Sequence, residues 1–374
     1  MYYLFLYLYL FPILFKINHI SLFQYRNYID TRFEFTERII SFCGSNGIGK
    51  TNLLDAIYTL CFSRSYFNKS DNLSVSDGKV GFSLKASFEK NNEIFPVSLI
   101  LRENNKKELW VDNSPVSPFS LHIGKLPIVF IAPDDVELIT GTSEQRRSFM
   151  DAILSQMDPE YLRNLIRYNK VLQERNKYLK QCSIQQLVDH TLIDSFDEQL
   201  IVLGIQLIDK RVAFFETTIP SIQELYAFIS GEKEKPILRF IPSAVSDTYK
   251  NQMINARQKD LITQRTSVGI HKDELDISMN DIQFKQIASQ GQKKSLLFAL
   301  KLAEFMTLKN HFDFEPILLL DDIFEKLDQH RLSKLLEWVC VKNQGQVFLT
   351  DSHQDRIEQY LHDISVPFQL IMLA

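Results

Sequence analysis

The sequence predicts an α/β fold interrupted by an all-helical insertion, and three observations carry that prediction. A glycine-rich turn at 44–51 stands between an apolar run and a helical pattern. From Ser143 to about Ile229 the chain shows helical periodicity and almost no strand signal. Beyond it strands and helices alternate, and one uninterrupted apolar run, Ile317–Leu320, ends in Asp321 and Asp322. Such alternation after a glycine-rich turn argues for mainly parallel strands with helices around them.

A chain of 374 residues can bury a large core and by size holds two or three domains. Hydrophobic content of 45% and charged content of 24% are ordinary for a soluble globular protein. A net charge of −4 excludes a globally basic nucleic-acid binder, so any such surface must be a local patch. The scattered Cys43, Cys61, Cys182 and Cys340 include no C-x-x-C pair, and the histidines do not cluster. That pattern points away from a zinc site or disulfide framework and fits a reducing, cytoplasmic setting. Residues 1–15, MYYLFLYLYLFPILF, are uncharged and apolar. They are short of the roughly 20 residues that span a bilayer, and they lack a signal peptide's basic start and cleavage site. A non-native extension from a start codon placed too far upstream is favoured over a membrane-associated tail, and no stable membrane association is expected.

In order, Lys16 to Phe35 reads as two short strands beside the strand that precedes the glycine turn. Strand-like runs at 81–88, 95–101 and 109–111 are separated by Asn91-Asn92 and Asn104-Asn105, and 127–131 looks like a buried strand. Helices are expected over 144–156 and 159–180, the second with Pro159 in its first turn. Residues 184–228 read as one long helix or two broken near Gly204. Strand 236–241, helix 247–263 and a hairpin around Asn280-Asp281 follow. Next come helix 295–308, a break at Phe314-Glu315-Pro316, then helix 331–341, strand 346–350, a further helix and a last strand. The expected organisation is an extension over 1–15, a head over 16–133, a helical arm over 134–235 and the rest of the head over 236–374.

The chemistry concentrates in GSNGIGKT, where Gly44, Ser45, Asn46, Gly47, Ile48, Gly49, Lys50 and Thr51 fit the P-loop spacing. A triphosphate needs many donors close together, and backbone N–H groups supply them only where Cβ atoms are absent. The helix from Lys50 points its positive end at the phosphates, Lys50 reaches the β- and γ-phosphates, and the Thr51 hydroxyl becomes a ligand of Mg²⁺. Asp321, closing an apolar strand, takes the Walker B role beside Mg²⁺, and Asp322 is placed to orient the attacking water. On 159–180, Arg163, Arg167, Lys170 and Lys177 fall near one face. They form either a solvated stripe or a track for DNA phosphates, whose binding would be strongly salt-dependent.

Ser289-Gln290-Gly291-Gln292 ahead of a helix resembles the signature motif of ABC-type ATPases. That resemblance implies that Ser289, Gly291 and Gln292 bind the γ-phosphate across a dimer interface, and Glu325 to Asp328 resembles the D-loop. More specifically, the chain resembles the RecF family from about Ile17 to its end. The likeness rests on Tyr25-Arg26-Asn27-Tyr28, GSNGIGKTNLLDAIY (44–58), Ser63-Arg64-Ser65 and FIAPDDVELITG to SQMDPEYL (130–162). It continues through VLQERNKYLK (171–180), RTSVGIHKDEL (265–275), SQGQKKSLLFALKLAE (289–304) and LLLDDIFEKLD (318–328). It implies an ABC-type, SMC-like ATPase head with an inserted helical arm, ATP and Mg²⁺ as ligands, and an ATP-dependent homodimer. It also implies single- and double-stranded DNA at gaps and forks, with the mediators RecO and RecR as partners.

ABC ATPases commonly carry Glu where Asp322 stands, whereas Asp matches the RecF pattern. The shorter side chain holds water less closely, so hydrolysis should be slow. Asp351 occupies the place of a histidine switch and His353 comes two residues later, so the switch stays unassigned, as does a Q-loop glutamine. The leading expectation is a weak, DNA-dependent ATPase acting in recombinational repair and replication restart, its work conformational. The alternatives are a largely non-catalytic, ATP-gated DNA scaffold and, from the apolar N-terminus alone, a nucleotide-binding transporter subunit. The long helical insertion and the missing Q-loop stand against the transporter.

Overall fold

The computed structural model describes residues 15–231, 235–322 and 327–373. The apolar N-terminus up to position 14 and the D-loop residues Glu325 and Lys326 lie outside the described residues. Phe15, assigned in the sequence to the extension, instead opens β1 and is buried against Phe88 and Phe314.

In chain order the elements are β1 (Phe15–Tyr25), β2 (Tyr28–Glu34), β3 (Ile39–Cys43), α1 (Lys50–Phe62), β4 (Phe82–Lys90), β5 (Glu93–Leu101), β6 (Lys107–Val111), β7 (Ser114–Pro115) and β8 (Ile128–Ile131). Helices α2 (Ser143–Met157), α3 (Pro159–Gln185) and α4 (His190–Ser230) follow, then β9 (Ile237–Ile241), α5 (Tyr249–Thr263), β10 (Glu274–Met279) and β11 (Ile282–Gln283). Last come α6 (Gln290–Phe312), β12 (Ile317–Leu320), α7 (Gln329–Leu336), β13 (Val347–Asp351), α8 (Gln354–Asp363) and β14 (Gln369–Met372).

Two compact units result. The first takes the chain up to Asp135, Phe228–Ser230 and everything from Gln290. Its parallel sheet has the order β14-β3-β13-β12-β8. Strands β3, β8, β12 and β13 are buried at every position, which explains the uninterrupted apolar sequences of β8 and β12. The β1–β2 hairpin does not pair with β3. Its period-two pattern, one face buried, builds a separate antiparallel sheet, β2-β1-β4-β5-β6-β7. Asn91, Asn92 and Asn105 take up positive φ in the turns of that sheet, as the sequence expects.

The second unit takes Val136–Ala227 and Gly231–Ser289. Residues 236–289 were expected in the head, but β9, β10 and β11 form their own three-stranded sheet and belong to the helical unit. Helix α4 is not broken at Gly204. A Cβ there would lie 2.4 Å from the Tyr249 ring, so the glycine admits α5 close to an unbroken helix. Helix α3 runs to Gln185, capped by Asp158, whose carboxylate accepts from the backbone N–H of Glu160 and Tyr161.

Two arginines fix this unit's interior. Arg175, fully buried, donates from Nε to Asp197 at 2.7 Å and from Nη1 to Asp260 and Thr266, each at 2.8 Å. Arg211 holds Asp151, Asp273, the Tyr161 hydroxyl and the Ile270 carbonyl. Gly269, at φ +128°, lets the 265–275 segment pass beneath the Tyr168 and Tyr249 hydroxyls, the nearer only 2.2 Å from an added Cβ.

Candidate nucleotide site

The C-terminal edge of the parallel sheet assembles the site, because β3 and β12 point the same way with β13 between them. Strand β3 hands the chain to the 44–49 turn, and α1 begins at Lys50. Gly49 has φ +114°, and a Cβ on it would lie 2.4 Å from the Asn27 amide, so no other residue fits. The Lys50 ammonium, its side chain mostly buried, donates to the Gly44 and Ser45 carbonyls at 2.7 and 3.2 Å. It is thereby folded over the mouth of the loop.

Thr51 and Asp321 lie side by side. The Thr51 hydroxyl donates to Asp321 Oδ2 at 2.7 Å, while Thr350 donates to Asp321 Oδ1 at 2.7 Å. The Asp321 N–H donates to the Ile131 carbonyl of β8 at 2.9 Å, fixing the carboxylate's backbone. Burial pushes the Asp321 carboxyl above its ordinary range, against the two threonine hydrogen bonds. A hydroxyl and a buried carboxylate side by side are hard oxygen donors of the kind Mg²⁺ takes, so the residues fit that ion. Among the described residues, no cluster of three or more His, Cys, Asp or Glu offers a separate metal site. Asp322, half-buried with φ +43°, has its N–H held by the Thr350 hydroxyl at 2.9 Å. One threonine on β13 therefore orients both acids, a role the sequence reading missed.

The β1–β2 turn is the support of the P-loop. Asn27 donates to the Ile48 carbonyl at 2.8 Å and Tyr28 to the Gly49 carbonyl at 3.0 Å, while Asn52 donates back to Asn27. Behind them Asp55, wholly buried on α1, accepts from the Tyr25 hydroxyl, the Arg26 guanidinium, the Ser65 hydroxyl and the Tyr66 N–H. This carboxylate ties the Tyr25-Arg26 end of the β1–β2 turn to Ser65. From there Tyr66 hydrogen-bonds Asp135, and Lys301 of α6 sits 3.7 Å from Asp135 and 3.5 Å from Glu304. Burial raises the Glu304 carboxyl to about 7, with Lys301 opposing it.

The signature segment differs from its sequence reading. The helix expected from Ser295 starts at Gln290, so Gly291 and Gln292 lie in the first turn of α6 and Ser289 alone precedes it. The side chain nearest Gly291 is Arg331, not the P-loop: a Cβ there would meet Nη1 at 3.8 Å. Asp351 is bound by the Arg356 guanidinium at 2.5 and 2.9 Å and accepts from the His353 N–H. Held this way, it serves α8 and leaves the switch unassigned. Arg163, Arg167, Lys170 and Lys177 are all on the face of α3 opposite its buried Tyr161, Leu165, Tyr168, Val171 and Leu179.

Comparison with known proteins places these features in a family. The model of the RecF/RecN/SMC N-terminal domain family matches residues 16–369. The DNA replication and repair protein RecF of Flavobacterium johnsoniae is 38% identical over 96% of this chain and 99% of its own. That of Cytophaga hutchinsonii is 36% identical over 96% of this chain and 94% of its own. The solved structure of the recombination mediator RecF with ATP, from the RecFOR pathway, superposes with a TM-score of 0.85 at 26% identity, covering 92% of this chain and 94% of that one. The Smc head domain of Pyrococcus furiosus shares the fold, with a TM-score of 0.53 at 15% identity over 93% and 92% of the two chains. With an ABC-type P-loop ATPase head, the Tyr25–Tyr28 support and the Asp321 pair all in place, the chain belongs to the RecF family of DNA replication and repair proteins.

Proposed function

We propose that this protein is an ATP-dependent DNA-binding protein of recombinational repair and replication restart, whose ATP is shared between two copies. The observation that carries the reading is Gly291. Its φ is not positive, and among the described residues a Cβ on it would touch only Arg331, at ordinary contact distance. Glycine in a helix is costly relative to alanine, yet nothing within the described chain asks for it. A close approach by something beyond those residues would, and the triphosphate held by a second copy's 44–51 loop fits.

The chain's residues divide the work. Backbone N–H groups of 44–51 and the end of α1 receive the phosphates, and Lys50 swings from the Gly44 and Ser45 carbonyls to the β- and γ-phosphates. Thr51 and Asp321 would hold Mg²⁺, which would supply charge neutralisation at the phosphate oxygens. Asp322, fixed by Thr350, orients the attacking water, and its short side chain keeps turnover slow. Ser289, Gly291 and Gln292 of one copy close over the other's nucleotide. Arg163, Arg167, Lys170 and Lys177 track DNA phosphates near gaps and forks, where the mediators RecO and RecR act. Among the described residues, no helix is long and apolar enough to cross a membrane.

Sizing in solution with and without ATP tests the core of this reading. Wild-type chain should dimerise with ATP and Ser289→Arg should not, whereas a wild type that stays monomeric ends it. The Asp at 322 also favours a second reading, a DNA scaffold that uses ATP as a ligand and scarcely hydrolyses it. Equal release rates from DNA with ATP and with a non-hydrolysable analogue would select the scaffold.

A further inference from the structure

Arg331 stands where two segments of the head meet. Its backbone N–H and its Nε both engage Asp328, the cap of α7, at 2.9 and 3.0 Å. Its Nη1 reaches across to α6 and donates to Ser295 Oγ at 2.8 Å. Ser295, fully buried, donates its own hydroxyl proton to the Gly291 carbonyl at 3.0 Å. Asp328, Arg331, Ser295 and Gly291 therefore form one continuous chain of hydrogen bonds. It runs from the end of the segment after Asp321 and Asp322 to the first turn of α6.

The charges there are unusual for a helix start. A helix N-terminus carries partial positive charge and is stabilised by acids. The first turn of α6 has none, while Lys293 and Lys294 follow and the Arg331 guanidinium lies beneath Gly291. Asp328 balances the Arg331 charge, while Lys293 and Lys294 add positive charge at the positive end of the dipole. They suit an anion that arrives from outside.

We propose that Arg331 is a positioning residue for the shared nucleotide. It locks the Gly291–Ser295 turn to Asp328, so that the turn meets the second copy's triphosphate as a rigid cap. This rests on the shared-nucleotide reading. Arg331 is only 14% exposed at its side chain and acts through the turn, without touching phosphate itself.

The test uses the full chain carrying Asp322→Asn, so that ATP persists, with Arg331→Met, Arg331→Lys and Ser295→Ala added singly. Affinity of the monomer for a fluorescent ATP analogue should stay within twofold in every variant. The dimer dissociation constant, from sedimentation in saturating Mg-ATP, should rise tenfold or more for Arg331→Met and by less for Ser295→Ala. Arg331→Lys should recover part of the loss, because it keeps the charge and one of the two anchors. Dimerisation of Arg331→Met within twofold of the parent overturns the proposal, even if its melting midpoint falls, since that result describes a purely structural arginine. A parent chain that never dimerises with ATP overturns the shared-nucleotide reading and this proposal together, and that outcome is distinct because it precedes any change at 331.

Discussion

Gly291→Ala separates what the monomer needs from what the complex needs. In the chain alone the added methyl meets Arg331 Nη1 at 3.8 Å and Cζ at 4.0 Å, both ordinary contacts. Helix propensity favours alanine by about 1 kcal/mol in a helix interior, and roughly half of that is reasonable in a first turn. The monomer should therefore melt slightly higher, by about 1 °C for a protein of this size. In the complex the methyl stands where phosphate oxygens approach the first-turn N–H groups. Loss of one charge-assisted hydrogen bond costs about 1.5–3 kcal/mol, which weakens the ATP-dependent dimer roughly 10- to 100-fold. Calorimetric melting without nucleotide and sedimentation with Mg-ATP read the two effects separately. A monomer destabilised by several degrees would mean the glycine is needed inside the chain. An unchanged dimer constant would mean no phosphate comes near it. Either result removes the argument for a shared nucleotide.

Three further outcomes are expected. Asp322→Asn should lower the hydrolysis rate by about 10²–10⁴ while leaving ATP-driven dimers intact, and unaltered turnover would take Asp322 out of the mechanism. Burial holds the His271 imidazole down to about 4, so the unfolded chain binds the extra proton between that value and the ordinary 6.5. Its stability contribution is present above 6.5 and lost as pH falls toward 4. Glu304, raised to about 7, has the opposite sign: its contribution is full below the ordinary 4.5 and lost as pH rises through 7. His271→Gln and Glu304→Gln should flatten the two slopes separately in melting curves taken from pH 4 to 8, and an unchanged slope refutes the assignment for that residue. Finally, reversing Arg163, Arg167, Lys170 and Lys177 to Glu should weaken DNA binding across sequences. The slope of log affinity against log salt should fall by about 0.9 for each duplex phosphate the stripe no longer neutralises, and an unchanged slope would leave the stripe merely solvated.

What was legible in the sequence was what phosphate chemistry constrains locally. The turn at 44–49 with a helix from Lys50 and the apolar β12 form where the sequence places them, because a turn with no room for Cβ at Gly49 and a fully buried parallel strand leave local traces. Partners distant along the chain left none. Asp55 lies on α1 one turn beyond Thr51, and nothing nearby says that it gathers Tyr25, Arg26, Ser65 and Tyr66. Arg175 sits among exposed charges on α3, yet its acids lie 22 and 85 positions away. The strands at 237–241 and 274–279 have the same local pattern as those of the head, and only their pairing with each other assigns them to the second unit.

The glycines show the same limit in its sharpest form. Gly204 left one long helix or two broken helices open and Gly291 read as part of a loop, and both lie inside helices. At Gly204 the reason is within the chain, since the Tyr249 ring leaves no room for a Cβ. At Gly291 the described chain offers no such reason, only the Arg331 guanidinium at an ordinary van der Waals distance. A helix that begins with a weak former and has no acid of its own in its first turn gives up stability on both counts. On the proposed shared-nucleotide reading, both losses would be recovered by a single event, the arrival of a polyanion close against the backbone. Among the described residues no contact recovers either, and the dimer constant of Gly291→Ala decides whether the first turn of α6 is half of a site or only the start of a helix.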